Sequence, residues 1–263
     1  MMSKPLRGNI LEAKGVSKIF NGFSAVDNLN LTVADGDIHA LIGPNGAGKT
    51  TVFNLLTRFL QPNAGRIYFN NQDITVMEPA AIANVGLVRS FQISAIFPKL
   101  SLLENVRVAL QKKHKNSFCF WRSEHSLIDL NERAVELLSA VGLDSFAYDR
   151  AGDLPYGHKR ALEIATTLAL EPKMLLLDEP TQGMGREDID RIVALIKTVS
   201  KGRTILMVEH NLHVVETLAD QITVLQRGAI LAEGDYATVS VDEQVREAYM
   251  GHSSANEQGK ACA

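Results

Sequence analysis

The chain has 263 residues, 46% hydrophobic and 22% charged, with a net charge of −3. Such a composition belongs to a globular protein with a full core, in one large domain or two, and it supplies no basic field for nucleic acid. No run of about 18 apolar residues occurs, and the start MMSKPLRGNILEAKG has no apolar stretch of the signal-peptide kind, so a membrane role has to come through a partner.

The first third reads as strands. Leu29, Leu31 and Val33 alternate with Asn28, Asn30 and Thr32, the period of a half-buried strand, and Asp35-Gly36 is a turn signal. The apolar run 38–42 ends in glycine, a helix is predicted from near Lys49 to before Pro62, and Asn63-Ala64-Gly65 turns the chain toward a strand at Ile67 and Phe69. Residues 93 to about 170 read as mostly helical, with Ala134, Leu137, Leu138 and Val141 on one helix face. Within this region the segment 112–125, KKHKNSFCFWRSEH, mixes basic and aromatic residues. It reads as a solvated loop with rings tucked under it or as a contact surface for a partner or lipid headgroups. The last third alternates strand and helix: strands at 174–177, 204–208 and 222–225, and a helix stripe of Ile189, Ile192, Val193 and Ile196. That alternation indicates a parallel sheet flanked by helices. The cysteines Cys119 and Cys262 give no disulfide framework and fit a reducing compartment.

Between the 38–42 strand and the helix at Lys49 stands Gly43-Pro44-Asn45-Gly46-Ala47-Gly48-Lys49-Thr50, followed by Thr51. It matches the phosphate-binding loop. Glycines let successive N–H groups face a phosphate chain, and the following helix points its positive end at the same anion. In that pattern Lys49 reaches the β- and γ-phosphates of ATP and the Thr50 hydroxyl holds Mg²⁺. A second element, Leu175-Leu176-Leu177-Asp178-Glu179-Pro180, delivers two adjacent carboxylates from an apolar strand at the end where open α/β sheets bind ligands. Asp178 suits a role on Mg²⁺ or its water shell, and Glu179 the polarisation of an attacking water.

With these two elements the sequence resembles the ATP-binding subunits of ABC transporters, from about residue 10 to about 250. Further features extend the resemblance: Gln92 in Arg89-Ser90-Phe91-Gln92 matches the family's Q-loop, which senses Mg²⁺ and the γ-phosphate; Leu154-Pro155-Tyr156-Gly157-His158 occupies the place of the signature; Gln182-Gly183-Met184-Gly185 the D-loop; His210 the switch histidine; and Phe20 the ring that stacks on adenine, although Phe23 is close and core packing explains either ring. The signature departs from the common pattern, with proline for serine and histidine for the usual acid or amide, and Gly185 stands where the D-loop often has aspartate or asparagine. The resemblance implies a RecA-like α/β P-loop NTPase core with an N-terminal antiparallel β subdomain and an inserted helical subdomain. It implies one domain over 8–251, the core and β subdomain at about 8–92 and 171–251, the helical subdomain at about 93–170, and a flexible tail at 252–263.

The phrase Val88-Arg89-Ser90-Phe91-Gln92, the Tyr156-Gly157 pair, Leu162-Glu163-Ile164-Ala165 and the ending 245–251 are more closely similar to the larger ATPase of branched-chain (hydrophobic) amino-acid importers. Urea or amide importers and the lipopolysaccharide exporter use similar ATPases, and non-transport ABC ATPases are a more distant alternative. The implied partners are integral-membrane permease subunits, a second identical or homologous ATPase that sandwiches ATP, and, indirectly, an external substrate-binding protein. The implied location is the cytoplasmic face of the inner membrane.

Overall fold

A computed structural model describes residues 8–90, 96–111 and 124–249. Two long strands, β1 (Asn9–Phe20) and β2 (Phe23–Ala34), form an antiparallel hairpin. β4 (Ala64–Phe69) and β5 (Gln72–Asp73) extend it into a four-stranded sheet of order β2-β1-β4-β5. The alternation read in β2 is real: Leu29, Leu31 and Val33 are buried, whereas Asn28, Asn30 and Thr32 are exposed. β4 begins at Ala64, inside the segment expected only to turn.

The second sheet has six strands in the order β10-β9-β3-β8-β7-β6. They are β3 (Ile38–Ile42), β6 (Leu87–Ser90), β7 (Met174–Asp178), β8 (Thr204–Val208), β9 (Gln221–Gln226) and β10 (Ala229–Gly234). All neighbours are parallel except β10, which pairs antiparallel with β9 at the edge. β3, β7 and β8 are buried at every position, as expected of strands covered on both faces. Their side chains alternate between two cores. Leu41, Leu176, Leu206 and Val208 enter one shared with the antiparallel sheet and helix α1 (Lys49–Leu56). Ala40, Ile42, Leu175, Leu177, Ile205 and Met207 enter the other, lined by further helices.

α2 (Pro79–Val85) packs Ile82 into the first core; the helices of the second are α3 (Leu102–Gln111), α4 (Glu124–Ala140), α5 (Tyr156–Leu168), α6 (Arg186–Val199), α7 (Leu212–Leu218) and α8 (Tyr236–Val241). Residues 243–249 are also helical. The face predicted for α4 packs inward: Ala134, Leu137, Leu138 and, just beyond the helix, Val141 are buried. In α6 the buried stripe runs through Ile192, Leu195, Ile196 and Val199, with Ile189 and Val193 at its partly buried margin. The basic-aromatic segment falls largely outside the described residues, and so do Gln92 and the terminal tail.

Candidate functional site

Strand register gathers the chemistry at one edge. Leu41 of β3 pairs with Val208 of β8, and Val208 with Asp178 of β7. One row across the sheet therefore leads into the Gly43 loop, His210 and Glu179, which all leave from the C-terminal ends of adjacent parallel strands. This is where ligands bind in such sheets.

The loop between β3 and α1 requires glycine for steric reasons. Gly43 has φ 147° and a side chain there would meet the Leu225 carbonyl at 2.2 Å; Gly48 has φ 103° and would meet the Ala25 carbonyl at 2.6 Å. The β1–β2 hairpin thus lies directly against the loop. Phe20, at the hairpin's end, is 41% exposed, so the alternative of a core ring does not hold for it; its face carries the Lys18 ammonium at 5.2 Å. Lys49, 8% exposed, donates from Nζ to the carbonyls of Gly43 at 2.7 Å and Pro44 at 3.0 Å. Burial pushes its pKa down, and the carboxylates of Glu179 and Asp178 oppose this. Thr50 and Asn45 are exposed and Thr51 is half-buried. Beside the loop, Pro44, Asn45, Gly46 and Ala47 share a cavity of about 530 Å³ with Gln244, Glu247 and Ala248 of the last helical segment.

Asp178 closes β7 and is held twice. Arg89 of β6 donates from Nη2 to its Oδ2 at 2.5 Å, and Arg160 of α5 donates from Nη2 to its backbone carbonyl at 2.7 Å. Arg160 also binds Glu163 Oε2 through Nη1 at 2.6 Å, an ion pair buried in the same helix. Burial pushes the Glu163 carboxyl pKa up, against the pull of Arg160. Glu179 follows with φ 46°, the left-handed region that a branched-free but non-glycine residue enters at a cost, and its N–H donates to Val208 O at 2.9 Å. That turn lifts the acid off the strand into the site.

The described signature residues lie apart from this network. Leu154 is buried, Pro155 and Tyr156 are exposed, and Pro155 is the N-cap of α5 rather than a residue of its first turn. The side-chain position of Gly157 faces Asp188 of α6, 2.9 Å from Oδ1. The His158 ring packs on Phe146, with centroids 5.0 Å apart. Among the described residues, no hydrogen bond or ion pair joins 154–158 to the phosphate loop or to the side chains of Asp178 and Glu179.

Arg89, Arg160, Glu163 and Glu209 are site-building residues that motif reading passed over. Glu209 is 0% exposed. Its Oε1 accepts from Thr181 N and Oγ1, and its Oε2 from the amides of His210 at 3.1 Å and Asn211 at 3.3 Å. It therefore ties the segment after Glu179 to the segment carrying His210. The signal available in the sequence was an acid directly at the end of an apolar strand, Met207-Val208-Glu209, since a charge in that context is held by partners.

A family model described as ABC transporter matches residues 26–182, and one described as branched-chain amino acid ATP-binding cassette transporter matches residues 229–255. The chain is 37% identical over 262 residues to the high-affinity branched-chain amino acid transport ATP-binding protein BraF of Pseudomonas aeruginosa, covering 96% of this chain and 100% of that protein. It is similar to a crystal structure of the ADP conformation of an ATP-binding cassette of an ABC transporter, with TM-score 0.81, 32% identity, and 93% and 99% of the two chains covered. It is also similar to a dimeric post-hydrolysis cassette bound to ADP and Pi, with TM-score 0.72, 26% identity, and 86% and 98% covered.

Proposed function

The chain belongs to the ABC transporter family as an ATP-binding, ATP-hydrolysing cassette, and from that premise we propose that it energises import of branched-chain or other hydrophobic amino acids through a membrane permease. The substrate reading rests on the near-full-length likeness to the branched-chain amino acid transport protein and on the C-terminal match at 229–255. The observation that carries the chemistry is the row Leu41–Val208–Asp178, which brings the phosphate loop, Glu179 and His210 to one edge.

In this reading Gly43 to Thr51 cradle the phosphates of ATP, Lys49 exchanging its loop carbonyls for phosphate oxygens, and Phe20 stacks on the adenine. Asp178 and Thr50 offer hard oxygen donors, and Asp178 already accepts a cation in Arg89, so these two residues fit Mg²⁺; Gln92, which the family resemblance assigns to the same ion, lies outside the described residues. Bound there, the ion neutralises charge on the phosphate oxygens. Glu179 accepts a proton from the attacking water as general base, and His210 supports the γ-phosphate side. The signature residues Leu154, Pro155, Tyr156, Gly157 and His158 serve the site of a second cassette, which explains their separation from this chain's own loop. ATP held from both sides favours the closed pair, and hydrolysis releases it.

No helix among the described residues is long and apolar enough to cross a membrane, so attachment at the cytoplasmic face of the inner membrane runs through the permease. A groove of about 390 Å³ between α2–β6 and α3–α5 carries the exposed side chains of Phe59, Phe97 and Val108 and suits a permease segment. An external binding protein acts on the permease, not on this chain. Reconstitution with the permease and binding protein tests the whole reading. ATP-driven uptake of labelled leucine that stops on Glu179→Gln is the expected result. Uptake of an amide instead of leucine overturns the substrate, and uptake that is indifferent to ATP overturns the function.

A further inference from the structure

Arg89 joins three parts of the molecule. Besides its bond to Asp178, its Nη1 donates to Asn54 Oδ1 of α1 at 2.6 Å, and its guanidinium lies 5.7 Å from the centroid of Phe53. Its side chain and that of Asp178 are only 12% and 11% exposed. Arg89 also lines the groove that holds Phe59 and Phe97, and it stands on β6.

Arg89 occupies Oδ2 of Asp178, so a dication at this carboxylate either displaces the guanidinium or sits on Oδ1 close beside it. Two cations at such short range repel strongly where water is largely excluded. A second arginine, Arg160, separately holds the Asp178 backbone carbonyl. Arg160 is in turn paired with Glu163, which lines the same groove. Both arginines that touch Asp178 are therefore tied to the groove.

We propose that Arg89 is a gate on Asp178: it withholds the carboxylate from Mg²⁺ in the conformation described here, and a permease segment seated in the groove shifts Arg89 and releases the acid. Groove occupancy then sets the metal affinity of the nucleotide site. Arg89 is a positioning residue in this scheme and touches neither nucleotide nor metal. The inference rests on the reading that Asp178 holds Mg²⁺ and that the groove receives the permease.

The test is a titration of the full-length chain, loaded with ADP, with Mn²⁺ followed by electron paramagnetic resonance. Removing the competing charge in Arg89→Gln raises Mn²⁺ affinity about tenfold, the scale of one neighbouring charge acting on a carboxylate. Arg89→Met, which keeps the packing on Phe53, gives the same result if the glutamine variant does not fold. In the assembly with its permease, the wild type reaches half-maximal ATPase at lower Mg²⁺ than the free chain, and this difference vanishes in the variants. A purely structural arginine predicts unchanged or weaker metal binding, and either outcome, with Asp178→Asn having lost Mn²⁺, overturns the gate and leaves the metal site standing. If Asp178→Asn binds Mn²⁺ like the wild type, the metal reading itself fails.

Discussion

The carboxylate of Glu209 accepts both the backbone amide and the hydroxyl of Thr181, at 3.1 and 2.7 Å, while its second oxygen takes the amides of His210 and Asn211. One buried acid thus sets the spacing between the turn after Glu179 and the loop carrying His210. We expect Glu209→Ala to cost about 3 kcal/mol in urea unfolding, because several buried donors lose their acceptor together. Glu209→Gln retains one acceptor oxygen, folds, and binds ATP normally. Its kcat drops at least about tenfold through misplacement of His210, the scale of a disturbed acid–base geometry. Normal turnover in Glu209→Gln removes the positioning role.

Glu179, the proposed general base, has a left-handed backbone, φ 46°. Glu179→Gln is expected to bind ATP and to hydrolyse it at least about a hundredfold more slowly, the usual loss with a general base. Light scattering should find this variant paired in ATP and monomeric without it, alone or mixed with a homologous cassette. The backbone supplies a separate check. Glycine tolerates this conformation and alanine does not, so Glu179→Gly should be more stable than Glu179→Ala by about 1 kcal/mol. In ordinary extended or helical backbone that order is reversed.

Gly157 packs on Asp188 within its own chain. A carboxylate at this position therefore meets Asp188 before it meets any phosphate of a second cassette. Gly157→Asp is expected to lower the melting temperature of the isolated chain, and Asp188→Asn in the same molecule to restore it in part. If the signature covers the partner's nucleotide, the restored double variant still lacks permease-coupled ATPase while retaining ATP binding. Full coupled activity in that double variant counts against the signature assignment.

His39 lies in β3, 2% exposed, with Nε2 2.8 Å from Thr223 Oγ1. The Thr223 hydroxyl gives its proton to Glu233 Oε1 at 2.7 Å, so His39 Nε2 is the donor toward Thr223. Burial pushes its pKa down to about 4, from an ordinary 6.5. The unfolded chain therefore binds a proton that the folded chain refuses between those values, and stability falls as pH drops through that window. The contribution reaches about 2.5 kcal/mol by pH 4.5, at 1.36 kcal/mol per unit. Between pH 7 and pH 4.5 the unfolding free energy from urea titrations should fall by about 2.5 kcal/mol more for the wild type than for His39→Leu. Parallel pH profiles contradict the assignment.

Much was legible before any coordinates. Local spacing and apolar runs marked β3, β7, β8 and β9, and the alternation marked the buried face of β2, since a strand's faces are set by its own period. β6 and β10 were missed: Leu87–Ser90 is too short for a pattern, and the β10 residues Ala229–Gly234 are only half-buried at an edge. The phosphate loop and the Asp178-Glu179 pair were legible because their chemistry is contiguous along the chain.

The sequence by itself determined the candidate site motifs and the parallel core, because both are written in neighbouring residues and in periodicity. Only the tertiary structure decided what holds those motifs in place. Arg89 and Asp178 are 89 residues apart, Thr181 and Glu209 28, and Arg160 reaches Asp178 from 18 residues away. A lone arginine or glutamate carries no mark of its partner. Sheet register and helix packing choose that partner, because burying a charge is tolerable only where the fold also delivers its counter-charge or its donors.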